Sequence, residues 1–356
     1  MDKSLKESAA IAPVTRSSPA AQIFLGVAIL AVLALALAPW WAGRADMRLM
    51  VEIFLYLSLA CLWNLLAGYA GLVSVGQQAF VGFGGYLLFG LTIFLGVSPL
   101  ATLPIIAVLG ALIAMPVAAL IFRLRGAYFA IGTWVVAEVF RLSAAQISSL
   151  GGGSGTSLPI TVVKSIASNK AGRESATYWT ALTLAVLVIV ATVLILRSRN
   201  GLALTVIRDN ELASSSLGIN IWRTKFVVYV MTAGLTAAIG ALIFLQKLRI
   251  TPDAAFSVND WTAFVIFIVV IGGIGTLEGP IIGTLIFFAL REQLSDLGTV
   301  YLMILGAIAI IIMLKAPKGI WGYVREKFDI ELFPITHRVN LETTPDSPAP
   351  PYTKKE

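Results

Sequence analysis

The chain has 356 residues, of which 58% are hydrophobic and 13% charged, with a formal net charge of +7. About a quarter of a soluble domain's residues are charged, so a soluble globular protein is excluded. The positive balance follows from the placement of Lys and Arg around membrane spans, described below, and calls for no nucleic-acid partner.

Residues 1–20 are rich in Ser, Ala and Lys and are expected to form a flexible cytoplasmic tail. The apolar run 22–42 follows. It is long and lacks an obvious small-residue cleavage site, so it reads as a retained helix. Further apolar runs lie at 49–67, 79–97, 99–121, 127–147, 177–196, 226–246, 261–274, 280–292 and 299–315. A helix of about 20 residues spans the ~30 Å hydrocarbon layer. The runs at 261–274 and 280–292 are short, and are expected to tilt, to recruit polar residues at their ends, or to be broken. The fold class predicted is an all-α polytopic membrane protein with about eight to ten transmembrane helices and broken Gly-rich segments. Residues 21–322 are taken as the transmembrane domain and 323–356, with five prolines, as a largely disordered tail.

Two Gly-rich stretches interrupt the apolar pattern, GYAGLVSVGQQAFVGFGG at 68–85 and GGIGTLEGPIIG at 272–283. Glycine permits close helix packing, and glycine with proline permits unwinding where backbone is buried or lines a cavity. Both readings stand for each stretch. Ser74, Gln77, Gln78, Tyr86, Tyr128 and Thr133 are the candidate lining of a translocation pathway, because each offers hydrogen bonds at membrane depth. Packing bonds between helices are the competing account of every one of them. Residues 148–176, opening SSLGGGSGTSLP, are expected to form a flexible external loop.

The stretch 197–225 is polar and holds five basic residues. Asp209 is predicted to cap a helix starting at Asn210, with Glu211 favouring its first turn and Gly218 just past its end. About eight residues do not make a helix stable alone in water, so this one needs a groove. Ala213 and the serines after it allow a close fit, and Leu217 and Ile219 offer apolar anchors.

Charge placement gives the orientation. The N-terminus, 122–126, 197–225, 272–279 and the C-terminus hold 17 Lys and Arg, the opposite side holds 8, and Arg141 lies near a span end. That excess places both termini in the cytoplasm. Glu52, Glu138 and Arg141 are the main charged residues within spans, and Glu138 and Arg141, three apart, are expected to pair. Trp40, Trp41, Trp179, Trp261 and Trp321 near span ends are expected to be interfacial anchors. Cys61, the sole cysteine, forms no intrachain disulfide. The sequence has no GxxxxGK[ST] loop, and its one histidine, His337, offers no metal cluster. No catalytic residue, metal ligand or cofactor is therefore expected. An ion-coupled secondary transporter stays open through Glu52 and Glu138.

The segment RDNELASSSLGINIWRTK at 208–225 resembles the cytoplasmic signature of ABC-transporter permeases for branched-chain amino acids. Other blocks resemble that family in the same order: GLVSVGQQAFVGFGGY, RLRGAYFAIGTW, LGGGSGTSLP, TPDAAFSVNDW, VIGGIGTLEGPIIGT and APKGIWG. Together they cover residues 50–322, and the RLRG and SRNG blocks point to the LivM-type subunit. The resemblance implies alternating access without ATPase activity in this chain. It implies a coupling role for Asp209, Asn210, Glu211, Ala213, Leu217 and Gly218 against separate ABC ATPase subunits. It also implies a second related permease subunit, a substrate-binding protein, and residence in the lipid bilayer of a bacterial inner membrane. One departure stands out: the family's Ser-Leu-Gly-His is here Ser74-Val75-Gly76-Gln77. An amide replaces an imidazole, and related permeases also carry urea, short amides and other amino acids, so these substrates stay open.

Overall fold

In the computed structural model, residues 14–15, 19–167, 169–294, 298, 300–316, 318–328 and 338–339 are described. The described residues are predominantly helical, with only four two-residue strands. In order come α1 (Pro19–Ala36), α2 (Arg44–Asn64), α3 (Gln77–Phe94), α4 (Thr102–Ile121), α5 (Ala127–Ala145), α6 (Ile160–Lys164), α7 (Lys170–Arg197) and α8 (Arg199–Asp209). Then follow α9 (Glu211–Ser216), α10 (Ile221–Lys247), α11 (Pro252–Ala255), α12 (Phe264–Gly272), α13 (Gly279–Leu294), α14 (Val300–Lys315) and α15 (Gly319–Phe328). Eight helical stretches among the described residues are long and apolar enough to cross a membrane, Leu25–Trp40 is a shorter apolar helix, and α13 has only 16 residues. The all-α polytopic membrane class follows directly.

The bundle is built around α2 and α10, the two spans with the largest buried share. With 27 residues, α10 is about 40 Å long, more than the hydrocarbon thickness. It packs most extensively against α3 and α4. Small residues make that approach possible: a Cβ at Gly84 of α3 would lie 1.8 Å from the Ala237 carbonyl oxygen of α10. Gly82 and Gly85 also lie inside the unbroken α3, so the second half of the first Gly-rich stretch is packing surface.

The first half of that stretch is a true break. After Asn64 the helix widens into a π-turn, Leu65–Tyr69, and the chain then runs without regular structure to Gly76. A second π-turn, Asn259–Ala263, feeds α12, so the predicted run 261–274 belongs to the span Pro252–Gly272. Between α12 and α13 the segment 273–278 is a non-helical turn.

Several expectations change. The loop 148–176 is structured. It holds two 3-10 turns, β2 (Thr156–Ser157) paired antiparallel with β3 (Arg249–Ile250), then α6 and the start of α7 at Lys170. Its backbone polar groups are met by the β2–β3 pair and by the Leu158 N–H donating to the Leu248 carbonyl at 2.9 Å. Trp261 and Trp321 are buried, and the Trp261 indole donates to the Ala254 carbonyl at 2.8 Å. Trp40 and Trp41 stay exposed, as interfacial anchors would. The boundary expected at 322 falls inside α15. Most of both predicted tails lies outside the described residues, although Val14–Thr15 pairs antiparallel with Arg338–Val339.

Candidate functional site

Two helices, not one, make up the polar stretch. Ser198 starts α8 by accepting from the Asn200 N–H at 3.2 Å, and Leu204 and Ile207 bury its inner face against the bundle. Asp209 is the last residue of α8, and extended Asn210 separates it from α9. The predicted cap at Asp209 is thus moved one residue on. Asn210 offers its carbonyl to the Ser214 N–H and Oγ, at 3.1 and 2.7 Å. The reason is that 199–209 has enough helix formers and a buried face to continue to Asp209, leaving the turn to Asn210. Gly218 does end the short helix in left-handed geometry, at φ +77°. Its N–H donates to the Ser215 carbonyl and that of Ile219 to the Ser214 carbonyl, a Schellman closure. The six residues of α9 include Ala213 and are held from outside. Glu211 pairs with Lys225 at the start of α10, and Ser214 is fully buried. Leu217 stays 71% exposed at the tip. Asn220 then caps α10 by accepting from the Arg223 N–H at 2.9 Å.

The hairpin of α8 and α9 grips the broken part of the bundle through Arg208. Its Nη1 donates to the Gly68 carbonyl at 2.9 Å. That carbonyl belongs to the π-turn, where the regular ladder has ended and an outside donor fits. The same turn is tied to the segment before α13 through Asn64, which is buried. Asn64 Oδ1 accepts from the Gly275 N–H at 2.8 Å and its Nδ2 donates to the Thr276 carbonyl at 2.7 Å. The two Gly-rich breaks therefore meet at one end of the bundle, directly under the hairpin. Sequence reasoning counted Arg208 only among the five basic residues of 197–225 and did not bring it together with Asn64. The one signal for this junction was an arginine next to the short helix and glycines at 68 and 275.

The predicted pathway residues do not form one surface. Ser74, Gln77 and Thr133 do cluster: Thr133 Oγ1 accepts from the Val75 N–H at 3.0 Å, and Gln77 Nε2 donates to the Leu59 carbonyl at 3.0 Å. A small void of about 20 Å³ touches Ser74, Gln77 and Thr236, and Gln77 Oε1 has no partner. Gln78 is fully buried and accepts from the Thr262 hydroxyl. Tyr86 stacks on Phe256 at 5.9 Å, while Tyr128 is 74% exposed.

The three charged residues singled out in the sequence, Glu52, Glu138 and Arg141, are all paired. Arg141 bonds Glu138 at 2.6 Å and Asp253 at 2.6 Å, and Arg291 bonds Glu52 at 2.6 Å. At that same end Arg48 bonds Glu174 at 2.6 Å. This accounts for Glu52 and Glu138 as ion-pair members.

A polytopic helical bundle with two broken Gly-rich segments and a helical hairpin at one end has the build of a membrane permease. The family profile described as branched-chain amino acid transport system / permease component matches residues 47–314, and the chain belongs to that family. It is 25% identical over 326 residues to the high-affinity branched-chain amino acid transport system permease protein LivM of Escherichia coli K12, covering 85% of this chain and 76% of that one. The LivM protein of Salmonella typhimurium is 24% identical over the same shares. A probable branched-chain amino acid transport permease protein LivM of Methanocaldococcus jannaschii is 26% identical over 189 residues, 53% of this chain and 52% of that one. No solved structure matches the chain significantly.

Proposed function

We propose that this chain is the membrane-spanning subunit of an ATP-driven importer for branched-chain amino acids, working by alternating access. Separate ABC ATPase subunits supply the energy, a second related permease completes the membrane pathway, and a soluble binding protein delivers the substrate. On this reading residues 21–322 form the permease domain, both termini are cytoplasmic, and the protein resides in a bacterial inner membrane. The α8–α9 hairpin is the ATPase docking element, with Asp209, Asn210, Glu211, Ala213, Leu217 and Gly218 at the contact.

The observation that carries this reading is the junction of Arg208, Gly68, Asn64 and Gly275. It connects α8, the first helix of the hairpin, to both breaks in the bundle. A push on α9 reaches the end of α2 and the start of α13 through hydrogen bonds instead of through a mobile loop. Transport then follows if those two ends shift against α10 when the hairpin moves. Family membership supports the substrate class.

Cross-linking tests the docking step. Leu217→Cys, in a Cys61→Ala background, is expected to cross-link to the ATPase subunit of the assembled complex, with yield changing on addition of ATP. Absence of any ATPase adduct, with the complex intact, refutes the docking role of α9.

A further inference from the structure

We propose that a cavity between the ends of α2, α7 and α10, opposite the hairpin, is a binding site for a zwitterion carried on an apolar body. The cavity holds about 520 Å³, within the range of small-molecule sites. Its wall along α2 runs from Met47 to Tyr56, about 13 Å of helix. The sides are aliphatic, formed chiefly by Val51, Leu55, Ile243 and Ile166.

The charges on its lining do not cancel. Arg48 is taken by Glu174, and Glu52 by Arg291. Lys170, Arg173 and Lys247 also line the cavity, and among the described residues none of the three makes an ion pair, Arg173 donating to the Ala167 carbonyl at 3.3 Å. The Lys247 ammonium instead lies 4.6 Å from the centre of the Trp261 ring. On the opposite sign, Glu174 is only 13% exposed. Its Oε2 is buried, accepts no hydrogen bond, and has Arg44 Nε 3.7 Å away.

An anion alone would meet Lys170 or Lys247 but leave the Glu174 oxygen without a donor. A cation alone would do the reverse, and an uncharged apolar molecule would satisfy neither. A ligand bearing an anionic group and an ammonium a few bonds apart meets both, and its apolar body fits the aliphatic sides. A free apolar amino acid has this chemistry, and so does the aminoethyl-phosphate head of a zwitterionic lipid. The amino-acid source rests on the transport reading above, whereas the lipid source does not.

The full chain, reconstituted in phosphatidylglycerol nanodiscs, is titrated with radiolabelled L-leucine. The competitors are 4-methylpentanoate, which lacks the ammonium, and 3-methylbutylamine, which lacks the carboxylate. In parallel, the chain is taken from mixed phosphatidylethanolamine and phosphatidylglycerol bilayers and its retained lipids are weighed by native mass spectrometry. Saturable leucine binding resistant to both competitors identifies the amino acid, and selective retention of phosphatidylethanolamine identifies the lipid; either upholds the site. Lys247→Gln and Glu174→Gln should each weaken the retained species at least tenfold. Ile166→Trp, which fills the cavity from its rim and leaves every charge in place, should do the same and carries the test if a charge variant misfolds. The site is refuted if neither zwitterion is held above its singly charged counterparts, or if Ile166→Trp leaves retention unchanged. Uptake by the assembled transporter separates the two claims. Leucine uptake with no zwitterion at the cavity counts against the cavity alone, and a filled cavity with no ATP-driven uptake counts against the transport reading alone.

Discussion

Arg208 is the point at which the hairpin can be uncoupled from the bundle without touching a span. Arg208→Met keeps much of the apolar stem and removes the donor to the Gly68 carbonyl. A hydrogen bond to a charged group contributes about 1.5–3 kcal/mol. The Arg208 side chain is 39% exposed and also pairs with Asp209, so water and that carboxylate offset part of the loss. Discounted for that screening, the loss is about 1–1.5 kcal/mol, roughly a 5- to 13-fold change in an equilibrium at 1.36 kcal/mol per decade. Two assays read it. Hydrogen exchange of the purified chain should quicken by that factor at 65–72 and at 273–279, and stay unchanged at 230–245 in α10. In the assembled complex, substrate transported per ATP hydrolysed should fall, with assembly preserved. Arg208→Lys, which keeps the charge with a single point donor, should fall between wild type and Met. Unchanged exchange at 65–72 together with unchanged coupling in Arg208→Met would refute the role given to this bond.

Gly218→Val places a β-branched residue at φ +77°, at about 1–2 kcal/mol or more, and should reduce ATPase co-purification while membrane levels of the chain hold. Glu211→Lys sets a second cation against Lys225 and should act in the same direction, with partial rescue by Lys225→Glu restoring an opposite-charge pair. Gly84→Val drives a side chain into the Ala237 carbonyl and should lower thermal stability by about 3 kcal/mol or more, or abolish folding, read as loss of the monodisperse peak in gel filtration. For topology, Ser154→Cys should label from outside intact cells and Leu202→Cys only after permeabilisation, both in a Cys61→Ala background; the reverse pattern refutes cytoplasmic termini.

Much of the architecture was legible because membrane burial writes itself into composition. Apolar length marked the spans, and the ion pair of Glu138 with Arg141 followed from a separation of three on one helix. Gly218 was legible too, since a glycine after a short polar helix has few other uses. What escaped was whatever depends on contacts distant in sequence. Asn64 and Gly275 are 211 residues apart, and Glu52 and Arg291 are 239 apart, so no local pattern joins them. The cap at Asp209 was misplaced by one because two acceptable capping residues stand side by side, and only the buried face of α8 decides between them. The loop 148–176 looked unstructured because its order comes from pairing with Arg249–Ile250 across the bundle. Tyr128 and Gln78 share a chemistry but not a location, which composition cannot distinguish.

The most direct test is transport by the reconstituted assembly. This chain, its partner permease, the ATPase subunits and the binding protein are placed in sealed vesicles, and uptake of radiolabelled leucine, valine and isoleucine is measured with and without ATP. The account predicts ATP-dependent accumulation of these three substrates, insensitive to collapse of proton and sodium gradients and lost in Gly218→Val. Uptake driven by an ion gradient without ATP, or ATP-dependent uptake of urea or short amides to the exclusion of these amino acids, would contradict it.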